Sequence, residues 1–364
     1  MTDSPPPFAH SLTPSNVAPQ HGPRPLPLFL SILWRETEGD PAFRERAFAG
    51  LRRFQRAARP QHERPVRTVA NQGRARLLHY EAVDKSDRLP NLFAPSLINA
   101  PDVLDISPDN SLLRHLSAKG HDIYQIDWGY PAEEDRDQDV AGHATDLLLP
   151  LMATLPRPPI LVGYCLGGTI AMAAASLAPC SALATIAAPW HFNAYPEIFR
   201  TQTHQAWAGA EPVCRDLGVM PMEVLQQGFW SLDPRRTIEK YAAFGDMAED
   251  DRGYDAFLLL EDWVNEGAPL TLAAGNELIE DFYGANITGL GEWIVGGKTI
   301  DPAALPFPTL NISSSTDQIV PLDARPSAQE QRILHQGHVG MIVGRTAREN
   351  LWEPLSEWLS AQGG

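Results

Sequence analysis

The 364-residue sequence contains only three cysteines, Cys165, Cys180 and Cys214. They are too few and too scattered for a disulfide framework or a zinc cluster, which points to a reducing compartment. No apolar run approaches the roughly 20 residues that a membrane crossing needs. The opening residues lack the basic, apolar and small-residue succession of a secretory signal, so the expected location is the cytoplasm. Basic residues are also in short supply. With 29 Lys and Arg against 45 Asp and Glu, the net charge is −16, which argues against a nucleic-acid binder. No Gly-rich phosphate cradle of the P-loop or dinucleotide type occurs, and His143-x-x-Asp146 is not a metal set. Neither a metal nor a cofactor is expected.

What is present is organised around Pro159–Ile170, PILVGYCLGGTI. An apolar run, Ile160 to Val162, ends at Gly163. Cys165 stands between Gly163 and Gly167, and a small-residue helix follows. A nucleophile elbow needs this strand–turn–helix context. The turn is so sharp that a side chain at either glycine would strike a neighbouring element. The helix N-terminus would also favour an anionic sulfur. Taken alone, these residues fit a buried structural Cys equally well, because cysteine is among the most buried residue types.

Residues 1–24 are Pro-rich and read as a disordered tail, and 25–64 as an N-terminal helical segment. Within the latter, Leu26–Trp34 is apolar, and Asp40-Pro41 looks like an N-cap with the first residue of a helix. Phe43, Ala47, Leu51 and Phe54 form that helix's apolar stripe. Arg44, Arg46, Arg52, Arg53 and Arg56 lie opposite, on a face that is either solvated or turned to phosphate groups or an acidic partner.

Residues 65–189 and 301–364 alternate strand and helix, which implies βαβ crossovers and a mostly parallel sheet. A hairpin is expected at Val66–Ala70 and Arg76–Tyr80, with further strands at 91–99, 121–128, 160–162, 181–188, 307–313 and 331–334. Between the two blocks, 190–300 is helical and aromatic with no clear strand alternation, and reads as a cap over the active face.

Two further residues complete a constellation. Asp317 falls just past a late strand, and His338 sits in a loop past the last one. Nucleophile, acid, histidine is the chain order of the α/β-hydrolase fold. His338 would take the thiol proton, while Asp317 would fix the imidazole tautomer. The oxyanion would be met by the backbone N–H of Leu166 and by one near Asn99 or Ala100. His335 and Asp323 are the neighbouring rivals. Gly337 and Gly340 allow a tight loop around His338, and Asp317 directly follows its strand.

These residues resemble the polyhydroxyalkanoate synthases. Gly163–Thr169 (GYCLGGT) is similar to that family's nucleophile box, which has Cys where lipases have Ser. Asp127–Pro131 (DWGYP), preceded by Asp122-Ile-Tyr124, and Asp109–His115 (DNSLLRH) resemble further signatures. So do Thr316–Pro321 (TDQIVP), Gly337–Met341 (GHVGM), Glu261-Asp-Trp263 and Glu292–Gly297 (EWIVGG). The similarity spans roughly residues 60–360.

The resemblance implies an α/β-hydrolase fold with a helical cap. It also implies polymerisation of (R)-3-hydroxyacyl-CoA, with release of CoA, through an acyl thioester on Cys165. Asp317 would take the additional part of helping to activate the incoming hydroxyl. The implied partners are acyl-CoA and the polyester chain, with a partner subunit or a second copy, at a granule surface. The length is close to that of family members that work with a separate subunit. Two features depart from the pattern: His191 stands where Asp is expected, and the start is Pro-rich. A depolymerase or thioesterase using the same three residues, and a non-catalytic granule-associated protein, are the alternatives.

Overall fold

The computed structural model describes residues 22–60, 62, 66–82 and 88–364. Residues 1–21, most of the expected disordered tail, lie outside the described residues. The chain divides into two units. One comprises the described residues of Met1–Gln61 together with Asp233–Asn265; the other comprises His62–Leu232 and Glu266–Gly364. The stretch 190–300 is therefore shared between the units.

In the first unit the apolar segment folds as the helix Leu26–Glu36, with Phe29, Ile32 and Leu33 buried. Asp40 caps the next helix, Pro41–Arg56, by accepting from the Phe43 N–H at 2.9 Å, and Pro41 is its first residue. Phe43, Ala47, Leu51 and Phe54 are all buried, as their spacing predicts. This helix packs on Pro234–Asp246 so closely that a Cβ at Gly50 would lie 1.7 Å from the Tyr241 carbonyl oxygen.

The arginine face is largely used within the unit. Arg53 donates to the carbonyls of Phe244 and Gly245 at 3.2 Å, and also to that of Met247, at the C-terminal end of Pro234–Asp246. A cation satisfies the free carbonyls of a helix end there. Arg44 bonds Thr37 and stacks 4.0 Å over Trp34.

The second unit is built on one sheet of eight strands: β1 Arg67–Gln72, β2 Ala75–Tyr80, β3 Pro90–Ala94, β4 Asp122–Asp127, β5 Ile160–Tyr164, β6 Ala182–Ile186, β7 Thr309–Ser314 and β8 Glu330–Leu334. Their order across the sheet is β1-β2-β4-β3-β5-β6-β7-β8. β1–β2 and β2–β4 are antiparallel, and the remaining neighbours are parallel. β3, β5 and β6 are buried along their whole length, as expected of parallel strands covered on both faces.

β3 ends at Ala94, well short of the expected 99, because Pro95 has no N–H to continue the ladder. The helix expected over 140–155 runs from Val140 to Met152 and contains a π-helical stretch at His143–Leu148. In 190–300 helices dominate, but short ladders pair Val219–Met220 with Leu270–Thr271 and Ile294–Val295 with Lys298–Thr299. No helix among the described residues is long and apolar enough to cross a membrane.

Candidate active site

Cys165 occupies the turn between β5 and the helix Leu166–Leu177. Its backbone is held at φ 53°, ψ −131°, a conformation that costs a non-glycine residue on the order of 1–3 kcal/mol. Packing enforces it. The Cys165 N–H donates to the Ile186 carbonyl at 2.9 Å, and the Gly168 N–H returns to the Cys165 carbonyl at 2.8 Å. A Cβ on Gly163 would lie 2.3 Å from the Gly168 Cα, and one on Gly167 would lie 2.2 Å from the carbonyl oxygens of Ala94 and Pro95. Only glycine fits at either position. Leu166 opens the helix, where first-turn N–H groups have no intrahelical acceptor.

Asp317 follows β7, and His338 follows β8. The His338 Nδ1 bonds the Asp317 Oδ2 at 2.7 Å, and both side chains are buried. The other Asp317 oxygen accepts from the N–H groups of Ile319 and Val320 at 2.8 and 2.9 Å. Both carboxylate oxygens are thereby committed.

Burial by itself would lower the His338 pKa. The Asp317 carboxylate and the nearby Cys165 sulfur outweigh it and push the imidazole up to about 10. With Nδ1 taken by Asp317, the nitrogen left for Cys165 is Nε2. The rivals sit elsewhere: His335 is exposed and bonds Ser315 at 2.6 Å, and Asp323 is exposed beside Arg325.

The backbone that abuts the elbow is Ala94-Pro95. Asn99 lies further along the loop with φ 64°, its side-chain amide donating to the Glu266 carbonyl at 3.3 Å. Ala100 is the next residue in that loop. The Pro95 carbonyl also accepts from the indole N–H of Trp128 at 2.9 Å. In the same motif, Asp127 accepts from the Gly129 N–H at 2.9 Å and pairs with Arg76. Trp128 is thus a buttress of the wall beside Gly167. Trp128→Phe keeps an aromatic six-membered ring but removes the pyrrole half of the indole with its N–H, and leaves a buried carbonyl without its donor. It is expected to lower stability by about 1–3 kcal/mol in urea denaturation.

Sequence patterns did not reveal an aromatic group near the sulfur. Tyr195 and Tyr283 have ring centroids 5.0 Å apart, packed among Phe192 and Phe199. Burial raises both hydroxyls above the ordinary phenol range. Each hydroxyl interacts with the other and is raised further by the Cys165 sulfur. The Tyr164 ring lies 5.2 Å from that of His338. His191, the departure from the family pattern, donates its backbone N–H to the Ala324 carbonyl, and burial and Arg325 lower its side-chain pKa. Among the described residues no group of three or more His, Cys, Asp or Glu could hold a metal ion.

The glycine-flanked turn, the carboxyl-edge loops and the strand order match a known family. Residues 105–344 fit the alpha/beta hydrolase family. The chain belongs to that family. As a member of it, the chain superposes on a hydrolase from Pseudomonas aeruginosa PA01 with a TM-score of 0.51 and 14% identity. That match covers 82% of this chain and 98% of the other and speaks for the fold.

Among curated proteins, this alpha/beta hydrolase is similar to the poly(3-hydroxyalkanoate) polymerase subunit PhaC of Haloferax mediterranei, with 28% identity over 313 residues. The match covers 81% of this chain but only 64% of that relative's length. It is also similar to the protein of the same name from Allochromatium vinosum, with 27% identity covering 81% of this chain and 88% of that one.

Proposed function

We propose that this chain is an acyltransferase that polymerises (R)-3-hydroxyacyl-CoA into polyhydroxyalkanoate through a thioester on Cys165. One observation carries the reading: a buried sulfur, imidazole and carboxylate gather at the carboxyl edge of the sheet in a chain similar over 81% of its length to poly(3-hydroxyalkanoate) polymerase subunits.

In this reading the Cys165 proton passes to the His338 Nε2, and the thiolate attacks the thioester carbonyl. The developing oxyanion is met by the Leu166 N–H and a second N–H from the loop after β3, around Asn99 or Ala100. Collapse breaks the carbon–sulfur bond to CoA, whose sulfur takes the proton from the imidazolium. The acyl group is left on Cys165. A chain-end hydroxyl then gives its proton to His338 and forms the new ester bond as the Cys165 thiolate leaves.

Exchange of one thioester for another is nearly balanced in energy, so the activation needed for ester formation is kept. Because both of its oxygens are occupied, Asp317 acts through His338 rather than on the hydroxyl directly. The second unit's own parts of 190–300, residues 190–232 and 266–300, which contribute Tyr195 and Tyr283, serve as the cap that keeps water from the acyl-enzyme.

The test is to incubate the full chain with 3-hydroxybutyryl-CoA, alone and with a partner subunit. Free CoA, free 3-hydroxybutyrate and polymer are then assayed. Polymer with stoichiometric CoA is the expected result. Free acid in place of polymer replaces the reading with a thioesterase or depolymerase, and no CoA release under either condition leaves a non-catalytic granule-associated protein. A second copy of the chain or a separate subunit, and the polyester granule surface, are the partners this function calls for.

A further inference from the structure

Beside the Tyr195–Tyr283 pair the second unit contains a cavity of about 310 Å³. Its inner wall is apolar: Trp207, Met220, Leu278 and Ile279 are all buried, and Tyr283, which also lines it, lies close enough to Cys165 for the sulfur's charge to act on its hydroxyl. Its mouth is different. Gln202, Gln227 and Ser231 line it as exposed residues, together with the exposed Ala206. Ile98, from the loop after β3, also lines the cavity and joins it to the oxyanion side of the site.

No lining residue is charged, although a fifth of the chain is Asp, Glu, Lys or Arg. A wall without cations does not suit the phosphates of CoA. A closed slot for an aliphatic tail would need neither amides and hydroxyls nor an opening to solvent. A chain of neutral ester units suits both features, because it presents apolar branches to the inner wall and carbonyl oxygens to the Gln202 and Gln227 amides.

Resting on the polymerase reading above, we infer that this cavity is the channel through which the growing polyester leaves Cys165, passing Tyr283 and emerging between the helices Glu197–Leu217 and Met222–Leu232. Gly228 offers a clean way to close it. It lines the cavity from inside a helix, and a Cβ there would meet no heavy atom within 4 Å. Phenylalanine is a better helix former than glycine, so Gly228→Phe is compatible with the helix while filling the channel.

The experiment has two readouts. Hydrogen exchange on the full Cys165→Ala chain, with the methyl ester of a 3-hydroxybutyrate trimer, is expected to protect Glu197–Leu217 and Met222–Leu232. CoA is expected to protect neither, and adding Gly228→Phe should remove the protection. In the otherwise unaltered chain, Gly228→Phe is expected to release the first equivalent of CoA at close to the wild-type rate and to make polymer about tenfold shorter or more. Wild-type polymer length in Gly228→Phe, or no protection of these helices by the trimer, overturns the channel. Failure of the parent reading has another signature: the unaltered chain would release no CoA and carry no acyl group on Cys165, whatever the exchange data show.

Discussion

Cys165→Ala is expected to abolish release of CoA from 3-hydroxybutyryl-CoA, with a loss of at least about 10⁴-fold. The size of the effect follows from geometry. The sulfur sits on a strained backbone at φ 53°, held by the Ile186 carbonyl and by glycine contacts too short for any side chain. A chain stores such strain only where the surrounding packing enforces it. Alanine keeps the turn, so the variant should fold with nearly unchanged stability, and the loss will be chemical. Cys165→Ser tests the second half of the argument. It keeps a nucleophile, but its acyl ester has discarded the activation of the thioester, so any residual turnover should run to slow acylation and not to polymer. Mass spectrometry of the quenched protein checks both: the wild type carries an acyl adduct on the peptide containing Cys165, and the alanine variant carries none. CoA release by Cys165→Ala within tenfold of wild type would remove Cys165 from the reaction.

The elbow was legible because its chemistry is local: two glycines, a cysteine and a small-residue helix lie within a dozen residues. The strands were legible for the same reason. Two of the parallel ones, β5 (ILVGY) and β6 (ALATI), are nearly continuous apolar runs, and the β1–β2 hairpin is marked by its turn at Gln72–Ala75. The end of β3 was written in the sequence at Pro95, but the apolar residues beyond it, Leu97 and Ile98, imitate a strand that runs on. Long-range pairing has no local mark. Nothing in the Arg53 region says that its guanidinium meets carbonyls nearly 200 residues away, so a structural arginine looked like part of a binding face. Asp233–Asn265 groups with the N-terminal helices by such contacts, which no periodicity encodes. Tyr283 was hidden for another reason. It lies in the π-helical stretch Glu277–Gly284, where the 3.6-residue period used to assign helix faces fails.

The second large effect is expected from Asp317→Asn, with kcat/KM falling about 10³- to 10⁴-fold while the fold is retained. The argument turns on which way the amide must point. The N–H groups of Ile319 and Val320 both donate to one Asp317 oxygen, so an asparagine has to leave its carbonyl oxygen there. Its NH₂ group then faces His338 Nδ1, 2.7 Å away in the wild type. A donor at that place forces Nδ1 to accept and puts the imidazole proton on Nε2, the nitrogen that has to receive the thiol proton. The histidine remains in position but in the wrong tautomer.

Stability supplies an independent check. In the wild type the His338 pKa is raised to about 10 from an unfolded value near 6.5. The resulting stabilisation is complete below about pH 6.5 and is lost as pH rises towards 10. Asp317→Asn removes the carboxylate's share and leaves burial opposing it. The stability gap between variant and wild type should therefore be widest near pH 6 and narrow by pH 9–10 in urea titrations. A gap independent of pH, or activity within tenfold of wild type, would mean that Asp317 does not hold the imidazolium at all.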